Sequence, residues 1–283
     1  MNGAMVVAGH AVRESLRRRV FLVVLILSVV FLLLYTWGAA ELFAGIGAFD
    51  EDDVDIETDT LAGGTLLGLA MFAIMFLGAV LATFLTIGAV RGDAERGLLQ
   101  PVIVRPLGRT AYLAGRLLAA AGVSAVYVIV LFAACLLVTG ALGWWPDRIV
   151  TPALTLAGAA VVIASLAMLG SVLLSTTANG IMVFMAFGAG LTAGLLGQIG
   201  DALNSRTLDR IGDVGAWLLP FEALYQHGLA SLTADTTGTT EIIVNLGPFG
   251  GAQAGGALMW PYALAYLAAV TGLAAYAFSR RDL

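Results

Sequence analysis

Long uninterrupted apolar stretches dominate this chain. Runs without a charged residue extend over 20–40, 60–90, 117–146, 149–200 and 242–279. Each run exceeds the roughly 18 apolar residues that indicate a membrane-spanning helix. The alternation of apolar and polar residues that the strands of an outer-membrane barrel require does not recur along the sequence. The pattern therefore predicts an all-α, polytopic membrane protein.

Six membrane spans account for these runs. The run at 149–200 is too long for one helix, and the sequence from Ser175 to Gly180 interrupts it with residues that favour caps and turns. We therefore expect a tight helical hairpin at this point. The chain is predicted to form a single transmembrane domain, 1–283, with spans near 20–40, 65–89, 113–141, 153–174, 180–200 and 260–278.

Charged residues are sparse and segregated. The chain is 60% hydrophobic and 12% charged, against about 45–50% and about 25% in an ordinary soluble protein. Eleven of the fourteen arginines fall before the first span, between the second span and the first turn of the third, or after the last, whereas fifteen of the nineteen acidic residues fall on the other side. By the positive-inside rule, both termini and loop 90–112 are cytoplasmic, and segment 201–259 is extracytoplasmic.

Residues 1–19 are predicted to form an interfacial helix. Ala8, Val12 and Leu16 repeat every four residues, and Glu14 stands four residues before Arg18, a spacing that favours an ion pair within a helix. Such a helix fits the cytoplasmic surface of a membrane. The alternative is a basic cluster that only sets the orientation of the first span.

Several kinds of chemistry are excluded by composition. The chain contains no lysine, which excludes a P-loop, so any ATP hydrolysis has to come from another polypeptide. His10 and His227 are predicted on opposite sides of the membrane, and Cys135 is the single cysteine, so no metal site and no cofactor are expected in this chain. The arginines lack an interleaved aromatic platform, which argues against nucleic acid as a partner.

The spans carry small residues in place of ionisable ones. None has a charged side chain near its centre, which argues against ion-coupled transport. In the fifth span Gly190 and Gly194 stand at GxxxG spacing with Ala186 one step earlier, and small residues on one face allow helices to approach closely. This helix-packing surface has three interpretations, namely a subunit interface, a sliding surface, or static packing inside one subunit.

The loop between the second and third spans has the pattern of a short amphipathic helix. Its apolar residues fall on one side at helical spacing, its polar residues fall elsewhere, and prolines punctuate it. A helix of this kind can seat its apolar face in the groove of a partner protein. The alternative is a basic loop that contacts anionic lipid headgroups. The residues concerned are Leu98, Leu99, Val102 and Ile103 on the apolar side, Glu95, Arg96 and Arg105 on the polar side, and Pro101 and Pro106.

In this loop the chain resembles the permease subunits of type-two ABC transporters. Leu98 replaces the threonine that is usual in the family, Pro101 is extra, and Arg116 stands for the usual lysine. The resemblance extends to residues 13–17, 219–222 and 278–283, and so covers essentially the whole chain. The loop residues that match the family pattern are Glu95, Gly97, Leu99, Val102, Ile103, Pro106, Arg109 and Gly115.

The resemblance implies a permease that a separate ABC ATPase drives. It implies that the loop docks on this nucleotide-binding subunit, which binds ATP and Mg²⁺, and that the permease pairs with a second copy or a sister chain. The abundant alanine and glycine and the use of arginine in place of lysine are typical of a GC-rich bacterial genome, so we expect a bacterial cytoplasmic (inner) membrane. The resemblance implies an exporter, and the uncharged spans favour a lipophilic or amphiphilic substrate; the alternative is a non-transporting membrane anchor or assembly subunit. The expected ATPase-coupling contacts are Glu95, Arg96, Gly97, Leu99, Val102, Ile103, Arg105, Pro106 and Arg109.

A possible outer gate lies in segment 201–259. The sequence favours one amphipathic flank comprising Trp217, Leu218, Phe221, Leu224, Tyr225 and Leu229, with Pro220 interrupting it. The family resemblance implies short helices that dip into the outer leaflet, with Trp217, Pro220, Phe221 and Tyr225 shaping an exit. An amphipathic interfacial helix without a gating role is the alternative.

Overall fold

The chain folds into a bundle of helices. The computed structural model describes residues 3–17, 19–46, 58–89, 108–235 and 253–280. These ranges contain helices and short connections without a strand, which confirms the all-α prediction. The helices are α1 (Gly3–Arg17), α2 (Arg19–Ile46), α3 (Thr58–Thr86), α4 (Arg109–Ala141), α5 (Val150–Leu173), α6 (Thr176–Leu203), α7 (Arg206–Leu218), α8 (Pro220–Ala230) and α9 (Met259–Ser279).

Helices α2, α3, α4, α5, α6 and α9 are long and apolar enough to cross a membrane, which makes six in the described ranges, as predicted. Most extend beyond the predicted spans; α2 continues to Ile46 and α3 begins at Thr58. The 28 residues of α2 give a length of about 42 Å, whereas the hydrocarbon core of a bilayer is about 30 Å thick. Hydropathy therefore locates each helix without fixing the residues at which it begins and ends.

The core lies between α3, α4 and α5. Met71 and Ile74 of α3, Phe132 of α4 and Leu156 and Ile163 of α5 are fully buried in one cluster. Helices α2, α6 and α9 instead expose large apolar side chains over much of their length. In a lipid bilayer such side chains contact acyl chains, so their exposure carries no hydrophobic penalty. Exposed apolar helices around a buried core therefore fit a membrane protein.

The bundle has two distinct ends. At one end α1 packs on the start of α4, near a second apolar cluster that contains Tyr112, Met168 and Phe278. Helices α7 and α8 lie at the other end, where Asp147, just after α4, donates its backbone N–H to the Leu232 carbonyl, just after α8. We refer to these as the α1 end and the α8 end.

The turn between α5 and α6 shows how polar residues divide the long apolar run. Helix α5 ends at Leu173 and α6 begins at Thr176. Ser175 caps α6 by accepting a hydrogen bond from the Ala178 N–H at 3.4 Å. Asn179, fully buried, donates from Nδ2 to the Ala167 carbonyl at 2.9 Å and so ties α6 back to α5.

Helix α1 is attached to the bundle by Gly115 and Arg116. An added Cβ at Gly115 would lie 2.6 Å from the Ala4 carbonyl oxygen, so the absence of a side chain permits the contact. The buried Arg116 donates from Nη1 to Glu14 Oε2 at 2.9 Å. Arg18, the predicted partner of Glu14, lies outside the described residues.

Candidate functional site

The α8 end is built on close contact between α6 and α7. Helix α6 ends at Leu203, and the next residue, Asn204, has a φ of 51° in the left-handed region that asparagine tolerates. This conformation turns the chain, so that α7 packs along α6. The two backbones meet at glycines, since an added Cβ at Gly212 would lie 2.6 Å from the Gly197 Cα.

Helix α8 is inserted into the bundle. It begins at Pro220, a residue whose fixed φ suits the first turn of a helix. Phe221 is 1% exposed and stacks on Phe187 of α6, with ring centroids 5.5 Å apart and planes 9° from parallel. Leu224 and Tyr225 are buried in the main core beside it.

Helix α9 closes the other side of this end. Tyr262 donates its hydroxyl hydrogen to the Trp217 carbonyl, and Tyr266 donates to the Leu218 carbonyl at 2.8 Å. These bonds satisfy carbonyl groups at the C-terminus of α7, which have no partner inside their own helix. The Trp217 and Tyr262 rings also meet edge to face, 4.5 Å between centroids.

His227 fixes the segment that leads into α9. Its Nδ1 accepts a hydrogen bond from the Gly255 backbone N–H at 2.9 Å, which requires this nitrogen to be unprotonated. Burial, and secondarily the positive charge of Arg148, lowers the pKa of His227 below its ordinary value. The neutral form that the hydrogen bond needs is therefore favoured.

A cavity of about 310 Å³ lies between α6, α7, α8 and the segment that leads into α9. Its lining combines carboxylates, carboxamides and apolar side chains, and the described residues that line it include no arginine or histidine. We call it the acidic cavity. It is lined by the carboxylates of Asp201, Asp209, Asp213 and Glu222, the carboxamides of Gln198, Gln226 and Gln253, and the apolar and aromatic groups of Ala216, Trp217, Ala223, Leu258, Met259 and Tyr262.

Glu222 is the most buried carboxylate of this cavity, with 4% of its surface exposed. Gln226 donates from Nε2 to its Oε1 at 2.8 Å, and no described residue pairs with it as a cation. Burial raises the pKa of Glu222, and the hydrogen bond from Gln226 opposes that shift. Asp209 also has a buried oxygen, Oδ1, without a hydrogen-bond partner among the described residues.

The predicted helix-packing residues face α8 of the same subunit. An added Cβ at Gly190 would lie 2.6 Å from Cζ of Phe221, and one at Gly194 would overlap the Glu222 carboxyl group. Ala186 is half-buried. This contact inside one subunit is the arrangement observed for Gly190 and Gly194; the structure describes a single chain and leaves the other two interpretations as predictions.

The predicted gate residues do not share one surface. Trp217 is 61% exposed and lines the acidic cavity, whereas Pro220, Phe221 and Tyr225 are buried in the bundle. The expected single flank is divided at Leu219, where the backbone is non-helical and α7 gives way to α8. A gating role for these residues stays a prediction.

The coupling loop lies mostly outside the described residues. Arg109 is the first residue of α4. The described ranges omit Glu95, Arg96, Gly97, Leu99, Val102, Ile103, Arg105 and Pro106.

Sequence reasoning overlooked the carboxylates of the acidic cavity. In the sequence, Glu222 stands at the end of the family-like fragment from Leu219 to Glu222, and that resemblance does not indicate that its carboxyl group is buried. A glutamate directly after a Pro-Phe pair, inside an otherwise apolar stretch, was the available signal. Its burial depends on Gly194, which is 28 residues away in sequence and cannot be paired with it by periodicity.

The six apolar helices define a multi-pass membrane protein. The sequence model of the ABC-2 family transporter proteins matches residues 5–283, and the chain therefore belongs to this family. Its members are membrane components of ABC transporters, so the chain is a permease subunit and the ATPase belongs to a partner. A comparison with curated proteins finds no match.

Proposed function

We propose that this chain is the permease subunit of an exporter for a lipophilic or amphiphilic substrate, powered by a separate ABC ATPase subunit that binds ATP and Mg²⁺. The family match over nearly the whole chain, together with the six apolar helices, carries the proposal. Uncharged spans suit a substrate that itself partitions into lipid. The proposed location is a bacterial cytoplasmic membrane, with a second copy or sister permease as the other half.

The distribution of charge supports a cytoplasmic α1 end. Arg13 on α1, Arg19 at the start of α2, Arg116 near the start of α4 and Arg280 after α9 all lie at this end. The positive-inside rule assigns such an end to the cytoplasm. The acidic cavity then belongs to the extracytoplasmic side.

The proposed docking element for the ATPase is the loop between α3 and α4. Glu95, Arg96 and Arg105 would make polar contacts, and apolar residues such as Leu99 would seat in the partner's cleft. The described residues on either side of the loop are tied together, since Tyr112 donates its hydroxyl hydrogen to the Ala89 carbonyl at 3.1 Å. A push on the loop would therefore move α3 and α4 as a pair.

Copurification and transport measurements test this proposal. We expect an ATP-hydrolysing subunit to copurify with the chain, and its hydrolysis rate to change when the permease is bound. Glu95→Arg should uncouple transport from hydrolysis in proteoliposomes, because it reverses a charge at the docking surface. Glu41→Arg, the same reversal at an exposed position near the other end of the bundle, serves as the control. A failure to bind any ATPase, or unchanged transport in Glu95→Arg, would contradict the proposal.

A further inference from the structure

The acidic cavity contains a buried carboxyl group that pairs with no cationic side chain among the described residues. Glu222 lines the cavity and has only 4% of its surface exposed. Its Oε1 accepts the hydrogen bond from Gln226, and its Oε2 has no hydrogen-bond partner among the described residues. Burying a carboxylate without a cation is costly. Arg206 and Arg210, the arginines of α7, are exposed and do not line the cavity. A positively charged ligand would remove this deficit.

The other carboxylates increase the attraction for a cation. Asp209 and Asp213 are four residues apart on α7, so they project from the same face of that helix into the cavity. The buried Oδ1 of Asp209 lacks a hydrogen-bond partner among the described residues. Carboxylates from α7 and α8 therefore contribute to one cavity.

The size and walls of the cavity favour an organic cation over a metal ion. Within the described part of the chain, no group of three or more His, Cys, Asp or Glu side chains is arranged to hold a metal. A volume of about 310 Å³ is at the lower end of the range for small-molecule sites, about 300–1,000 Å³. Leu258, Met259 and Ala216 supply apolar walls.

Aromatic groups add a second means of recognising such a ligand. Trp217 and Tyr262 both line the cavity, and Tyr262 holds the end of α7 by its bond to the Trp217 carbonyl. An ammonium group is attracted to the face of an aromatic ring, most strongly to that of tryptophan. The cavity therefore combines charge, aromatic and apolar contacts.

We propose that the acidic cavity binds organic cations that carry both an ammonium group and an apolar group. Glu222 and Asp209 neutralise the ammonium, and the aromatic and apolar walls receive the remainder. If the bound cation is also the transported substrate, which rests on the proposed transport function, the cargo is an amphiphilic cation. The binding site itself requires neither an ATPase nor transport.

Calorimetric titration of the full chain in dodecyl maltoside, an uncharged detergent, tests the site with benzyltrimethylammonium as the probe. We expect saturable binding, with affinity at least about tenfold lower in Glu222→Gln and in Asp209→Asn, since a tenfold change corresponds to about 1.4 kcal/mol. Glu41→Gln removes an exposed carboxylate of α2 that does not line the cavity and should bind as the unmodified chain does.

Benzyl alcohol, which is neutral, and Mg²⁺ at equal ionic strength are the competitors. Neither should displace the probe. The proposal would be overturned by an absence of saturable binding, by an affinity in both cavity variants equal to that of the unmodified chain, or by displacement of the probe by either competitor. If Glu222→Gln does not give a monodisperse protein, Asp209→Asn decides the question, because it leaves α8 unaltered. The titration omits nucleotide and ATPase, so a failure of energy coupling cannot be mistaken for a failure of binding.

Discussion

At the residue scale, Glu222 is a buried carboxylic acid in a largely apolar stretch of the sequence. A glutamate is rarely buried without a cationic partner, yet this side chain is almost fully enclosed and is bonded to Gln226. The stability of the protein should therefore depend on whether Glu222 carries its charge.

Replacement of Glu222 by glutamine should stabilise the empty protein at neutral and alkaline pH. Burial raises the pKa of Glu222 in the folded protein. The stability that protonated Glu222 contributes is therefore fully present below the ordinary pKa of glutamate, about 4.3, and is lost as the pH rises through the raised pKa of the folded state. Glutamine is neutral throughout and can still accept the bond from Gln226. The Tm difference between the variant and the unmodified chain, measured in detergent without organic cations, should grow from pH 4 to pH 8.

Glu41→Gln is the matched control for removing an exposed carboxylate. A Tm difference for Glu222→Gln that stays constant or shrinks over the same pH range would show that Glu222 is not destabilised by its burial.

At the element scale, the contact of α6 with α8 depends on glycine. A methyl group at Gly194 would overlap the Glu222 carboxyl, whereas Gly188, six residues earlier on the same helix, has nothing within 4 Å of an added Cβ. The two positions separate the effect of packing from the effect of helix propensity.

Gly194→Ala should destabilise the protein by about 1–3 kcal/mol, the usual cost of overpacking. Gly188→Ala should be neutral or stabilising by up to about 1 kcal/mol, because alanine is the better helix former. Unfolding in detergent, followed by circular dichroism, measures both. Equal effects of the two substitutions would mean that α8 does not pack on Gly194.

Some features of the helices can be predicted from the sequence and others cannot. Hydropathy locates the six spans because the need for about 20 apolar residues is local to each helix. The break at Ser175 can be predicted for the same reason, since a side chain caps its own turn. Pro220 also marks the break between α7 and α8, but the burial of α8 and the exposure of α7 depend on tertiary packing, which the pattern alone does not reveal.

Contacts between distant residues could not be predicted. The structure pairs Glu14 with Arg116 of α4, 102 residues away, a contact that the spacing within α1 does not indicate; Arg18 lies outside the described residues, so its pairing with Glu14 stays a prediction. The acidic cavity likewise combines residues from α6, α7, α8 and the start of α9. No periodicity relates these segments, so only the folded chain brings their charges together.

At the scale of the whole molecule, positive and negative charges are concentrated at opposite ends of the bundle. The α1 end carries most of the arginines in the described ranges, and the α8 end carries the acidic cavity. Between them α4, with 33 residues, extends for about 50 Å, and α3 and α5 form a buried centre. In our account the α1 end receives the energy of ATP hydrolysis and the α8 end receives the cargo.

Site-specific labelling of Leu99→Cys tests the central claim that a cytoplasmic ATPase engages the loop between α3 and α4. The native thiol, Cys135, is buried in the core, so a membrane-impermeant maleimide should react mainly at position 99. We predict labelling in inverted membrane vesicles and not in intact cells, and protection of the thiol when the ATPase subunit is bound. Labelling from outside intact cells, or a thiol that the bound ATPase leaves unprotected, would contradict the account.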